Sequence, residues 1–272
     1  MSSGIDYAKA LGYDSLPAAI VFAILYTPLA IYYLRFLFQR LDRFVIALVL
    51  FCYVRVAAFI IRAILIANTA AGRNESLFIA DQVLLNVGYF GLLLAAYELV
   101  LERLIYVEES YFDKTIQTPQ NGIFNLTRNP PAVHAALTVA LIIGIVGVSD
   151  TFSSKQSDVN TGSTLRKVSV VLFLVFTALQ TLQTLYLVKL ELTDQGIKFP
   201  SHAPFGARNG AIILLTISLI LLVREIFLTA TLGKLSVEFN EHYWYPFVAV
   251  PELIAVVLYL IPGIIPPKAS NM

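Results

Sequence analysis

Charged side chains occur inside several long apolar segments of this sequence, where a charge is unfavourable unless it has a partner or a function. On insertion scales, an arginine or aspartate at the centre of a membrane helix costs about 2.5–3.5 kcal/mol. The residues concerned are three arginines, three carboxylates and one amide: Arg55, Arg62, Asp81, Asn86, Arg224, Glu225 and Glu252. Such groups either pair across helices or line a polar cavity that binds a charged head group.

The overall composition is unusually apolar, with 58% hydrophobic and only 14% charged residues among 272. Soluble domains are usually about half apolar and roughly a quarter charged, so this composition favours an integral membrane protein. The 19 basic and 18 acidic residues nearly balance, and we expect no nucleic-acid partner. One cysteine, and three histidines without ligand spacing, predict neither a disulfide framework nor a metal centre, and we expect no cofactor.

Apolar runs of sufficient length predict the elements that carry these charges. A bilayer core about 30 Å thick requires roughly 20 mostly apolar helical residues. Seven such runs are present: Leu16–Phe38, Phe44–Ile66, Leu77–Ile105, Pro131–Val148, Val168–Val188, Asn209–Thr231 and Trp244–Ile265. We therefore predict an all-α bundle of seven transmembrane helices spanning 16–265, with an extracytoplasmic segment 1–15 and a short cytoplasmic tail 266–272.

The distribution of basic residues predicts the orientation of the bundle. Lysine and arginine are more frequent on the side holding loops one, three and five, which predicts an outside N-terminus and a cytoplasmic C-terminus. In this orientation Arg55 lies near mid-membrane and the other five charged candidates lie in the outer half. We expect all six in one layer, lining a polar cavity open to the outside. The alternative is purely structural ion pairs, such as Arg62 with Asp81 and Arg224 with Glu252.

Further polar residues and prolines within the spans also affect the expected bundle. Pro28, Pro246 and Pro251 interrupt spans one and seven, and each frees a carbonyl group that a polar group can satisfy. Near the cytoplasmic end of span three, we expect Arg103 and its acidic neighbours to extend towards the interface. Gln180 in span five is expected to form a hydrogen bond between helices.

Several motifs give the chain a resemblance to a known family. They are Ile61-Arg62-Ala63, Gln82-x-x-Leu85, Leu92 to Tyr97, Leu101 to Ile105, and later Arg224, Glu241, Tyr245 and Pro251. In these the sequence resembles the fungal RTA-like lipid-translocating exporters, or a neighbouring group of uncharacterised fungal seven-helix membrane proteins. It departs from the exporters at Val248, where an acidic residue is expected, and at Glu252, where the usual residue is apolar. The resemblance implies binding or movement of amphipathic lipids at the plasma membrane or an endomembrane of a fungal cell.

Three functions are compatible with these observations. The first is a non-enzymatic protein that binds or translocates an amphipathic lipid, with membrane lipids as partners and homo-oligomers as a possible assembly. The second is a seven-helix sensor of a small amphiphile, although the short cytoplasmic loops leave little surface for a signalling partner. The third is a membrane-bound terpene cyclase that uses Asp81, Glu225 or Glu252 as a general acid, which the nearby arginines oppose.

Overall fold

The computed structural model describes residues 6–110, 128–152, 155–193 and 203–265, which are mostly α-helical and contain no β-strand. The predicted tail 266–272 lies outside the described residues. The helices in chain order are α1 Tyr7–Ala10, α2 Leu16–Gln39, α3 Arg43–Ala67, α4 Thr69–Gly72, α5 Glu75–Ser110, α6 Pro130–Thr151, α7 Gln156–Thr193, α8 Phe205–Thr231, α9 Leu235–Glu238, α10 Glu241–Trp244 and α11 Val250–Leu258.

Six of these helices (α2, α3, α5, α6, α7 and α8) are long and apolar enough to cross a membrane, which indicates a multi-pass membrane protein. They contain the first six predicted spans. Helices α5 and α7 have 36 and 38 residues, or about 54 and 57 Å at 1.5 Å per residue, so both exceed a bilayer core of about 30 Å. The predicted spans are shorter than these two helices because they were assigned from hydropathy, whereas the polar ends of both helices are also helical.

The predicted seventh span has a different extent and a different local geometry. Helical structure begins at Glu241 instead of Trp244, passes through a π-helical segment at Tyr245–Ala249, and ends at Leu258 instead of Ile265. Pro246 and Pro251 lack the amide hydrogens that regular α-helical bonding requires, which accounts for the irregular segment. From Tyr259 the chain turns, and Gly263 has a positive φ of 86°, which ends any helix there.

Helix α5 occupies the centre of the bundle. It packs against α3, α6, α7 and α8, whereas α2 packs mainly on α3, and α11 packs mainly on α8. In the most apolar part of α5, 61% of the residues are buried, compared with 28% in α2. Many large apolar side chains on the outer helices are exposed, as expected for surfaces that face lipid. Polar groups on α5 are therefore well placed to meet groups from several helices.

A small aromatic cluster closes one end of the bundle, the end that holds the N-terminal segment. Phe78 at the start of α5 packs against the rings of Tyr7, Tyr13, Phe152 and Phe239 at centroid distances of 5.1–6.5 Å. The carboxylate of Glu241 accepts hydrogen bonds from the backbone N–H groups of residues 14 and 15. These contacts fix the N-terminal segment to the start of α10, so both belong to the same end of the molecule.

Candidate ligand site at the N-terminal end of the bundle

Four of the predicted site residues form one buried ionic network, which we call the central cluster. Glu252 Oε1 on α11 accepts hydrogen bonds from Arg55 Nη2 on α3 at 2.6 Å and from Arg224 Nε on α8 at 3.1 Å. Arg224 Nη1 also pairs with the adjacent Glu225. No member is more than 5% exposed. The cluster thus balances two positive and two negative charges and joins three helices.

Helix α5 shapes the surroundings of this cluster. The guanidinium of Arg224 lies over the ring of Tyr89, with Cζ 3.7 Å from the ring centroid. The Tyr89 hydroxyl is 2.8 Å from Thr177 Oγ1 on α7, which holds the ring in place. Gly88 leaves room for Arg55, because a Cβ atom at that position would lie 3.3 Å from the guanidinium carbon. The aromatic face contributes a cation–π interaction that partly replaces the lost hydration of Arg224.

The other two charged candidates form a separate network, which we call the terminal cluster. Arg62 Nη2 on α3 donates to Asp81 Oδ2 on α5 at 3.1 Å, and to the hydroxyl of Tyr13 at 2.9 Å. Tyr13 in turn donates to Asp81 Oδ2 at 2.8 Å. Gln82 Nε2 completes the network with contacts to the Tyr13 hydroxyl and, at 3.3 Å, to Asp81 Oδ2.

Two aromatic rings enclose the arginine of the terminal cluster. The Arg62 Cζ atom lies 4.4 Å from the ring centroid of Tyr13 and 4.0 Å from that of Trp244. Burial raises the pKa of the Tyr13 hydroxyl well above its usual range, and the negative charge of Asp81 adds to this although Arg62 opposes it. Tyr13 therefore remains a neutral hydroxyl that both donates and accepts. Sequence reasoning missed this residue because it precedes the first span.

The predicted ion pairs Arg62–Asp81 and Arg224–Glu252 are both present. The six charged residues, however, divide into two clusters instead of forming one layer, and within the described part of the chain no ion pair connects them. Arg55 pairs with Glu252 because α11 packs against α8 and brings that carboxylate to the level of mid-α3.

A polar cavity of about 50 Å³ lies beside both clusters, at the end of the bundle that holds the N-terminal segment. Asn86 and Arg224, two of the predicted site residues, line it. The remaining lining residues come from α5, α7, α8, α9, α10, the turn between α9 and α10, and the π-helical segment: Gln82, Leu85, Arg166, Val170, Leu228, Glu238, Phe239, Trp244 and Val248. About 10–15 Å³ is sufficient for one water molecule, so the cavity accommodates a small polar group.

Glu238, which sequence reasoning did not identify, lies against this cavity. Its Oε1 atom pairs with Arg166 on α7, and Arg166 Cζ lies 5.1 Å from the ring centroid of Phe239. Its Oε2 atom is buried and has no donor at hydrogen-bonding geometry among the described residues; the backbone N–H of Gly233 is near the carboxyl but does not meet that geometry. Burial raises the pKa of the Glu238 carboxyl, although Arg166 and the backbone N–H of Gly233 lower it. Sequence reasoning missed Glu238 because this residue lies between predicted spans.

An apolar groove of about 490 Å³ runs along the outer surface between α2 and α3. Eleven residues line it, from Leu16 to Thr27 on α2 and from Val56 to Ala67 on α3. Phe59 belongs to this groove and also contacts the ring of Trp244, with centroids 6.2 Å apart. The groove and the polar cavity therefore lie on opposite sides of the Phe59–Trp244 contact, at the same end of the bundle.

The opposite end of the bundle contains a buried ion pair instead of the solvated group expected there. Arg103 is only 2% exposed. It donates to both carboxylate oxygens of Glu191 at 2.7 and 3.2 Å, and to the carbonyl of Ala207 at 2.8 Å. The expectation that it extends to the interface was wrong because α7 continues past the predicted span end and carries Glu191 with it. The expected interhelical bond of Gln180 is present, to Ser218 Oγ at 2.9 Å.

Comparisons with known proteins assign a family and no activity. Residues 15–266 match a family described as "Domain of unknown function (DUF7702)". No curated protein and no solved structure matches the chain. The match covers all six apolar helices together with the π-helical segment, so every residue that lines the polar cavity lies within the family domain, whereas Tyr13 precedes it.

Proposed function

We propose that this chain, which belongs to the DUF7702 family, binds or translocates an amphipathic lipid whose polar head enters the cavity beside the central and terminal clusters. The observation that carries the proposal is the polar cavity itself: Gln82, Asn86, Arg166, Arg224 and Glu238 converge on one small space in an otherwise apolar bundle. Concave sites with a few convergent polar groups are the usual form of a ligand site.

The cavity is a better candidate than the clusters themselves. In the central cluster each carboxylate already contacts an arginine, and Arg55, Arg62 and Asp81 do not line the cavity. We therefore assign those three residues, with Glu225 and Glu252, to holding the helices and the cavity wall in place. Asn86 and Arg224 are the predicted site residues that a ligand reaches directly.

The proposed topology places this cavity on the outer side of the membrane. It consists of seven transmembrane helices, with the π-containing segment Glu241–Leu258 as the seventh, an outside N-terminus and a cytoplasmic C-terminus. The basic residues at the helix ends favour this orientation. The resemblance to fungal RTA-like exporters supports a lipid as the ligand and a fungal plasma membrane or endomembrane as the location.

Two alternative functions can be compared with the same geometry. A sensor of small amphiphiles would use the same cavity, so ligand binding is common to both proposals, and the measurement of lipid movement separates them. A terpene cyclase needs an intramembrane carboxyl that retains its proton. Asp81, Glu225 and Glu252 are each engaged by an arginine and do not line the polar cavity, so none is placed to protonate a substrate there, which argues against this function.

Native mass spectrometry of the purified protein with a total phospholipid extract tests the proposal. The informative variant is Asn86→Leu, which makes the cavity wall apolar and leaves every described ion pair intact. The matched control is Asn209→Leu near the start of α8, where the side chain donates to Phe205 at 3.3 Å and lies far along the helix from Arg224.

We expect a lipid adduct in the wild type and in Asn209→Leu, weakened about two- to twelve-fold in Asn86→Leu. This range corresponds to one neutral hydrogen bond of roughly 0.5–1.5 kcal/mol. Equal adducts in all three proteins would contradict the proposed cavity. A vesicle assay of lipid movement on the same variants then distinguishes translocation from binding alone.

A further inference from the structure

We infer that the head group held in the polar cavity is that of a zwitterionic phospholipid with a primary ammonium, and that Glu238 binds this ammonium. The inference rests on the proposed function and adds a substrate class to it. Four properties of the cavity lead to this class: an unpartnered carboxylate oxygen, two amides, a small volume and two arginines.

The unpartnered oxygen shows which kind of group is missing. Glu238 is 4% exposed, and its Oε1 atom pairs with Arg166. Its Oε2 atom is buried and has no donor at hydrogen-bonding geometry among the described residues. An ionised carboxylate only accepts hydrogen bonds, so a suitable ligand group must donate one. Buried charged groups without a full set of partners are unfavourable, which gives such a donor a favourable place to bind.

The amides in the cavity also offer oxygen atoms. The Nε2 atom of Gln82 donates hydrogen bonds to the Tyr13 hydroxyl and to the Asp81 carboxylate, and a carboxylate can only accept them. This contact orients the amide, and the carbonyl oxygen is the end that remains for the cavity. Asn86 contributes a second amide. A primary ammonium has three hydrogens and no acceptor, and therefore matches one carboxylate oxygen and two amide oxygens.

Hydrogen-bonding capacity distinguishes between ammonium groups. A volume of about 50 Å³, a few times that needed for one water molecule, admits a compact –NH₃⁺ group that donates to the Glu238 oxygen. A trimethylammonium group is bulkier and has no hydrogen to donate, so it would leave the Glu238 oxygen without a hydrogen bond. Head groups of the choline type are therefore expected to bind less well than those with a primary amine.

The two arginines explain why a phosphate should accompany the ammonium. Arg166 and Arg224 line the same cavity as Glu238, so both signs of charge are present. Arg166 is paired with Glu238, and Arg224 with Glu225 and Glu252, so an ammonium alone would add a positive charge to ion pairs that already balance. A zwitterionic head places an anionic phosphate within a few bonds of its ammonium and thus matches both signs. Guanidinium groups are well suited to phosphate oxygens.

The inference is tested with lipids that differ only in the head group. Phosphatidylethanolamine, phosphatidylcholine and phosphatidylglycerol with identical chains are added singly to the detergent-purified full-length protein, and adducts are measured by native mass spectrometry. We expect the ethanolamine lipid to bind at least about tenfold more tightly than either of the others, as one charge-assisted hydrogen bond would give. In Glu238→Gln this preference should disappear.

The variants separate failure of the inference from failure of the proposed function. Because Glu238→Gln leaves Arg166 without its carboxylate, the double variant Arg166→Gln with Glu238→Gln removes both charges and should fold while also losing the preference. Adducts that are weakened by Asn86→Leu but equal for the three lipids would overturn the inference and keep the proposed function. Adducts that Asn86→Leu does not change would overturn both.

Discussion

The central cluster makes a quantitative prediction about Glu252. Its Oε1 atom accepts from Arg55 at 2.6 Å and from Arg224 at 3.1 Å, so Glu252→Gln removes a carboxylate from two buried arginines at once. Arg224 keeps Glu225, but Arg55 has no other carboxylate partner among the described residues. Removing one partner of a buried ion pair costs about 3–5 kcal/mol, because the remaining charge is uncompensated.

The assay is thermal unfolding in detergent. Samples are heated to a series of temperatures, and size-exclusion chromatography then measures the fraction of protein that remains folded. Each kcal/mol shifts the midpoint by about 2–4 °C in a domain of roughly this size, so Glu252→Gln should lower it by about 6–20 °C. Glu225→Gln should cost less, because Arg224 retains Glu252. The double variant Arg55→Gln with Glu252→Gln should recover most of the loss, because one charge of each sign is removed.

Two results would refute this reasoning. A Glu252→Gln protein as stable as the wild type would mean that the central cluster does not hold the helices together. A double variant no more stable than Glu252→Gln alone would mean that the loss arises from something other than the uncompensated charge on Arg55. A double-mutant cycle over the same two positions measures the coupling directly.

Other regions of the structure give further predictions. Tyr13→Phe keeps the ring and removes a hydroxyl bonded to charged groups, which should lower the free energy of unfolding by about 1.5–3 kcal/mol, measured by thermal unfolding at constant detergent. Gly210→Ala places a Cβ atom against the guanidinium of Arg103 and should destabilise the protein by about 1–3 kcal/mol; wild-type stability would contradict the buried position of Arg103. Cys52 is fully buried and should react with a maleimide only after unfolding, as mass spectrometry would show. Burial raises the pKa of Glu238 above its unfolded value of 4.5, so the folded protein binds a proton more tightly than the unfolded chain. The free energy of unfolding should therefore fall as the pH rises from about 4.5 through the higher pKa of the folded state, and Glu238→Gln should reduce this pH dependence.

The sequence was sufficient to predict the contacts that follow from neighbouring helices. Arg62 and Asp81 lie near the ends of two antiparallel helices joined by a short connection, so their pairing follows from the span assignment alone. Six of the seven apolar runs likewise coincide with helices long enough to cross a membrane, because a helix that spans the bilayer must be apolar along its length.

The parts that could not be predicted depend on polar segments that carry no hydropathy signal. Tyr13 enters the terminal cluster from the N-terminal segment, which tertiary contacts with Glu241 and Phe78 fix in place. Glu238 reaches the cavity from α9, the short helix between α8 and α10. Glu191 meets Arg103 because α7 continues as a helix beyond its apolar part. In each case a long-range contact, not a local preference, decides the position of the side chain.

The most direct test of the proposed lipid-head site is an experimental structure of the protein in phospholipid nanodiscs containing phosphatidylethanolamine. We predict head-group density in the polar cavity, within hydrogen-bonding distance of Asn86 and Glu238. A cavity that holds only water, with ordered lipid confined to the groove between α2 and α3, would contradict the proposed site.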